Sequence, residues 1–136
     1  LRESRVPIVC SHSSCRALCN HPRNLTDDQL RALAEKGGVA QITFYNGFLV
    51  EGDAVAGIHD AVRHILHAVS VAGIDHVGIG TDFDGDGGVR GLDSASSLIK
   101  LTEALQAEGI DHEDLEKIWG GNFLRVMRQA QAAAKE

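Results

Sequence analysis

The stretch His76–Gly88, HVGIGTDFDGDGG, decides how this chain is read. Val77 and Ile79 alternate with neighbours at period two, the pattern of a short buried strand. The strand runs into Asp82, Asp84 and Asp86, set among glycines. A strand ending in a carboxylate and a Gly-rich turn has the form of a site at the carboxyl end of a parallel sheet or barrel. The same residues also read as a plain Asp/Gly turn. A third reading counts Asp82, Asp84 and Asp86 as positions one, three and five of a calcium loop, with Gly87 at six and Asp93 at twelve. That loop needs a helix entering Asp82, and Gly73, Gly78 and Gly80 interrupt any such helix.

Outward from this stretch the pattern alternates. Pro7–Cys10 reads as a strand, ending at Ser11-His12-Ser13-Ser14, and Cys15–Cys19 as about one helical turn. His21-Pro22-Arg23-Asn24 is a turn, because Pro22 fixes its own φ and keeps His21 extended. Thr26 caps a helix with Asp27 and Asp28 in its first turn, and Gly37-Gly38 ends it. Val39–Tyr45 is the second strand, followed by a loop through Asn46, Gly47 and Phe48. Val55, Ile58, Val62, Ile65, Leu66 and Val69 predict a long helix over Ala54–Ala72. His64 and His67 fall on it without an acidic neighbour, which favours packing over metal binding. Helices are expected over Ser94–Glu108, Glu113–Trp119 and from Asn122 onward. Strands alternating with helices imply an α/β fold with a parallel sheet, either a small open sheet or the last three strands of a (β/α)8 barrel.

Composition narrows the function. With 136 residues, 43% of them hydrophobic and 24% charged, the chain has the make-up of one soluble globular domain. The net charge of −6 provides no basic footprint for nucleic acid. No apolar run reaches the ~20 residues of a membrane span and no signal peptide is seen, so a cytoplasmic setting is favoured. Cys10, Cys15 and Cys19 form neither a CxxC motif nor an even set, and read as small packed hydrophobes. A zinc site from Cys15, Cys19, His12 and His21 is the alternative. His12, between serines at the end of an apolar strand, suits a metal ligand or a loop cap. Arg23 has the guanidinium fork that matches a carboxylate, or forms a surface ion pair.

SHS at 11–13, HPRN at 21–24 with Leu25, GGVAQITFY at 37–45, AGIDHVGIGTDFDG at 72–85 and GGNFLRV at 120–126 together resemble the membrane dipeptidase (renal dipeptidase) family of zinc peptidases. The resemblance covers nearly the whole chain. It implies a metal-dependent-hydrolase (β/α)8 TIM barrel, with residues 1–136 forming about strands six to eight as a single partial domain. It implies hydrolysis of dipeptides at a centre of two zinc ions. By position, His12 matches a zinc-binding histidine, Arg23 the residue that grips the substrate carboxylate, and Phe48 a substrate-pocket aromatic. Asp82 matches the strand-eight aspartate, near the metals and the scissile bond, in substrate binding and catalysis. The family's His-x-Asp pair, bridging Glu and second His have no counterpart here. The expectation is therefore a carboxyl-terminal part of a dipeptidase, incomplete alone, associated with the missing half or homodimeric. The alternative is a catalytically inactive half-barrel that serves as a binding or structural module.

Overall fold

The computed structural model describes residues 3–134. Three strands, β1 (Val9–Ser13), β2 (Val39–Ile42) and β3 (Val77–Ile79), form one parallel sheet in the order β1-β2-β3. Among the described residues six α-helices follow the strands: α1 (Asp27–Glu35), α2 (Asn46–Leu49), α3 (Ile58–Ala72), α4 (Leu98–Ala107), α5 (His112–Glu116) and α6 (Asn122–Ala133). Parallel strands need long crossovers, and α1 and α3 provide them. No helix among the described residues is long and apolar enough to cross a membrane.

Local chemistry explains most boundaries. Thr26 and Gln29 form a reciprocal capping box, each side chain bonding the other's backbone N–H, which starts α1. α3 starts at Ile58 rather than at the expected Ala54. The Asn46 side chain holds the carbonyl of Ala54 and the N–H of Ala56, and Arg90 pairs with Ala56 and Ile58, so residues 54–57 stay extended. Val55 consequently lies outside the helix and is 65% exposed instead of buried. The expected loop after β2 contains the short helix α2, closed by the Val50 N–H on the Asn46 carbonyl. β1 extends to Ser13 rather than stopping at Cys10, so His12 belongs to the strand and not to the loop beyond it. β2 ends at Ile42, short of the expected Tyr45, because Phe44 turns its carbonyl to Gly88 of the loop after β3.

A strand enters the loop that leads to Asp82, so the calcium helix–loop–helix reading is wrong: its entering helix does not exist. His67 likewise has an acidic partner that its own helix does not supply. Asp27 of α1 lies 2.8 Å from its Nε2 and ties α1 to α3.

The core lies between the sheet and its helices. Val39, Ala40, Ile42 and Val77 from the strands, with Phe44 just beyond β2, meet Leu30 and Leu33 of α1, Ile65 of α3 and Leu101 and Leu105 of α4. Each such Leu, Ile or Phe, fully buried, contributes about 2 kcal/mol by the area it removes from water. The carboxyl-terminal helix is attached by polar contacts. Asn122, buried, donates from Nδ2 to the carbonyls of Ile74 and Val77, at 2.7 and 2.8 Å. Arg125 donates to the carbonyls of Gly37 and Asp75, both at 2.8 Å. These bonds fix α6 against the entry to β2 and β3. Replacing Asn122 by Ala orphans two carbonyls at the start of β3, so Asn122→Ala should cost about 2–3 kcal/mol. The shift of the urea midpoint at unchanged slope is the measure.

Candidate active site

At the carboxyl edge of the sheet the loops enclose an open cleft of about 340 Å³. Its walls are His12, His21, Arg23, Tyr45, Phe48, Asp82 and Asp86. All four residues singled out from the sequence therefore lie on one cleft. His21, Tyr45 and Asp86 join them there. Tyr45 was legible only as the end of the second strand, His21 only as a turn residue or a ligand of the alternative zinc site, and Asp86 only as part of an acidic loop.

His12 is aimed by an irregularity in β1. Cys10 pairs with Ala40 but Ser13 with Ile42, so β1 carries one extra residue between them. A bulge of this kind re-aims a side chain at the end of a strand. Ser11 Oγ lies 2.8 Å from His12 Nδ1, and Arg23 Nη2 lies 3.4 Å from Nε2. A guanidinium can only donate, so Nε2 presents its lone pair and Nδ1–H donates to the serine. An imidazole held through one nitrogen, with the other open, is suited to a metal or a proton.

Asp82 is delivered by β3 in an unusual backbone conformation, φ 61°, the one positive φ at a non-glycine among the described residues. Asp tolerates this region better than most residues, at a cost of about 1 kcal/mol. The loop closes on it: Gly85 N and Gly87 N both donate to the Asp82 carbonyl, at 3.0 and 2.8 Å. Two glycines make the approach possible. A Cβ on Gly80 would stand 2.0 Å from the Ser11 carbonyl oxygen, and one on Gly87 2.1 Å from that of Thr81. Phe83, beside Asp82, packs against Phe44 in the core at a centroid distance of 6.0 Å.

Arg23 and Phe48 reach the cleft from separate loops that buried polar groups lock together. Asn24, fully enclosed, accepts from Ser14 N at 3.0 Å and donates to the carbonyls of Cys19 and Phe48, at 3.0 and 2.8 Å. Phe48 packs between His21 and Tyr45, at 4.5 and 4.8 Å, and the Arg23 guanidinium lies 5.7 Å from its ring centre. Cation–π contact of this kind orients the fork without consuming its donors. His21 Nδ1 accepts the Arg23 backbone N–H at 3.1 Å, which fixes the turn.

His64 performs the same service one layer below. Cys15 N donates to its Nδ1 at 3.0 Å, so Nε2 carries the proton and donates to the Leu49 carbonyl, also at 3.0 Å. Burial pushes its pKa down to about 4. Cys15 donates its thiol to the His64 carbonyl, and burial, with Asp27 adding to it, raises that thiol to about 12. Cys19 is also buried, its thiol directed at the Gly47 carbonyl 3.4 Å away. Among the described residues no three His, Cys, Asp or Glu side chains are grouped to hold a metal ion. His12 and Asp82 are donors of the kinds zinc accepts, but two fall short of the three protein ligands usual for catalytic zinc. The described residues fit one edge of a metal centre.

An imidazole lone pair, a guanidinium and a carboxylate gather at the carboxyl edge of a parallel sheet, in a fold shared with metallopeptidases of known structure. A metallopeptidase from Rhodobacter sphaeroides, solved with a phosphinate mimic of the dipeptide L-Ala-D-Ala, superposes with a TM-score of 0.88 at 34% identity. The match covers 94% of this chain and 37% of that one. The probable dipeptidase PvdM from Pseudomonas aeruginosa superposes with a TM-score of 0.89 at 29% identity, covering 95% and 46%. In sequence, an uncharacterized dipeptidase of Schizosaccharomyces pombe is 40% identical over 134 residues, 96% of this chain and 32% of the relative. Dipeptidase aclJ of Aspergillus oryzae is 38% identical, over 97% and 32%. Residues 1–136 match the membrane dipeptidase family, peptidase family M19, and the chain belongs to it. It spans about a third of the length of these two relatives.

The His64 geometry predicts an acid-sensitive fold. Its folded pKa, about 4, lies below the ordinary 6.5, so the unfolded chain binds the extra proton first. Above about pH 6.5 the group contributes nothing; between about 6.5 and 4 stability falls with pH, by about 3 kcal/mol in all. His64→Leu should lower stability at neutral pH and remove this part of the slope, as read from urea midpoints across pH 4–7.5.

Proposed function

We propose that residues 1–136 are the carboxyl-terminal portion, about strands six to eight, of a metal-dependent (β/α)8 barrel that hydrolyses dipeptides at a binuclear zinc centre. The convergence of His12, Arg23, Phe48 and Asp82 on one cleft, in a chain of the dipeptidase family, carries this reading. The outer strands β1 and β3 end the described sheet, as they would if further strands continued it into a closed barrel.

Each residue has a role that its geometry supports. Arg23, oriented over Phe48, takes the carboxylate of the dipeptide. Phe48 covers the apolar part of the carboxyl-side residue. Asp82, rigid on its closed loop, binds the substrate beside the scissile bond and passes a proton to the departing amine. His12 is a metal donor through Nε2, once Arg23 has moved to the substrate. Zinc held there, by His12 and further donors, would supply Lewis acidity for the scissile carbonyl and for the attacking water. The remaining donors come from strands beyond residues 1–136, which continue the sheet at its open edges. By itself the 136-residue chain is catalytically inactive, because His12 and Asp82 do not complete a donor set.

Two measurements test this. In the complete, zinc-loaded protein, His12→Ala should lower bound zinc, and Arg23→Ala should raise KM about 10- to 100-fold with a smaller change in kcat. Unchanged zinc content in the first variant would remove His12 from the metal centre. The second measurement uses the purified 136-residue chain with added zinc. It should show no chelator-sensitive turnover of a simple dipeptide, and such turnover would refute the proposed division of the site.

A further inference from the structure

The cleft is electrically divided. His12, His21 and Arg23 belong to β1 and the segment after it, whereas Asp82 and Asp86 belong to the loop after β3. With Arg23 on the substrate carboxylate and Asp82 at the leaving amine, hydrolysis leaves the Asp86 carboxylate unused. No salt bridge among the described residues engages it. Its position is nevertheless built. The glycines on either side, Gly85 and Gly87, are both anchored to the Asp82 carbonyl, and Gly87 has no room for a side chain. Asp86 is therefore held on the same tight turn as Asp82 and lines the same cleft as Arg23.

Distance decides what Asp86 meets. The first and third strands of a sheet lie about 10 Å apart. An extended dipeptide spans about 7 Å. A substrate anchored by its carboxylate on the β1 side thus brings its amino-terminal residue to the β3 side. We propose that Asp86 is a specificity-determining residue that receives the cationic nitrogen of the substrate's amino-terminal residue. The inference rests on the dipeptidase reading and adds a preferred substrate class, dipeptides with a positive charge at that residue. The charge is an alkylammonium in either of two forms, the α-ammonium or the end of a lysine side chain.

The test uses the complete zinc-loaded protein and three dipeptides of closely related shape: Ala-Ala, norleucyl-Ala and Lys-Ala. Asp86→Asn keeps the size and one acceptor oxygen and removes the charge. It should raise KM about three- to tenfold, the effect of one partly solvated ion pair, while kcat is kept. A rise for all three substrates assigns the α-ammonium, and a rise for Lys-Ala alone assigns the side chain. Asp86→Glu should recover part of the loss, which a merely structural role would not allow. Unchanged KM for all three, or a fall in kcat and thermal stability without a KM effect, overturns the inference and leaves the dipeptidase reading standing. Should the wild-type protein cleave none of them, the dipeptidase reading falls. Shifts of the His21 ring resonances with Lys-Ala then decide the role of Asp86. Binding weakened in Asp86→Asn upholds it, and binding absent or unaffected overturns it.

Discussion

The cleft depends on buried side-chain hydrogen bonds that hold the loops at the carboxyl edge of the sheet. Those loops leave different strands and have no ladder to align them. His64 joins the loop after β1, through Cys15 N, to the segment after β2, through the Leu49 carbonyl. Asn24 repeats the connection nearer the surface, from Ser14 and Cys19 to Phe48. Each buried group satisfies backbone atoms that would otherwise be stranded, so either substitution costs desolvation as well as a bond. Because His64 accepts through one nitrogen and donates through the other, it can serve only while neutral. Burial lowers its pKa and so keeps it neutral.

A second constraint acts on the loop after β3. Asp82 holds a left-handed backbone while two amides close on its carbonyl. Local strain of about 1 kcal/mol is tolerable where surrounding bonds over-determine it, and sites commonly store strain in this way. The consequence is rigidity. Asp82 and Asp86 are carried by one turn and line the cleft together with the guanidinium held over Phe48. The stiffness that shapes this wall also makes it intolerant of any residue with a Cβ at Gly80 or Gly87.

Much of this was legible beforehand, and the misses share a cause. Thr26 was recognisable as a cap because N-cap chemistry is local, and β3 because its alternation is. The start of α3 was misplaced because Val55 fits the helical period, while the groups that keep residues 54–57 extended lie on Asn46 and Arg90. His67 was judged to lack an acidic partner because Asp27 stands forty residues away in sequence and 2.8 Å away in space. Tyr45 reads as the end of the second strand, and His21 as a turn residue or a ligand of the alternative zinc site. They become part of a site only when Phe48 packs between them.

By itself the sequence determined the alternation of strands and helices, the parallel sheet that follows from it, and the motifs by which the chain resembles the membrane dipeptidases. These properties rest on short-range periodicity and on residue order, which a linear string records. Only the tertiary structure decided that His12 sits on a bulge, that Asp82 takes a positive φ, and that Asp86 and Arg23 line one cleft. Each of those depends on contacts between segments tens of residues apart. Their energies arise when the sheet brings the loops together, and no window along the chain contains both partners.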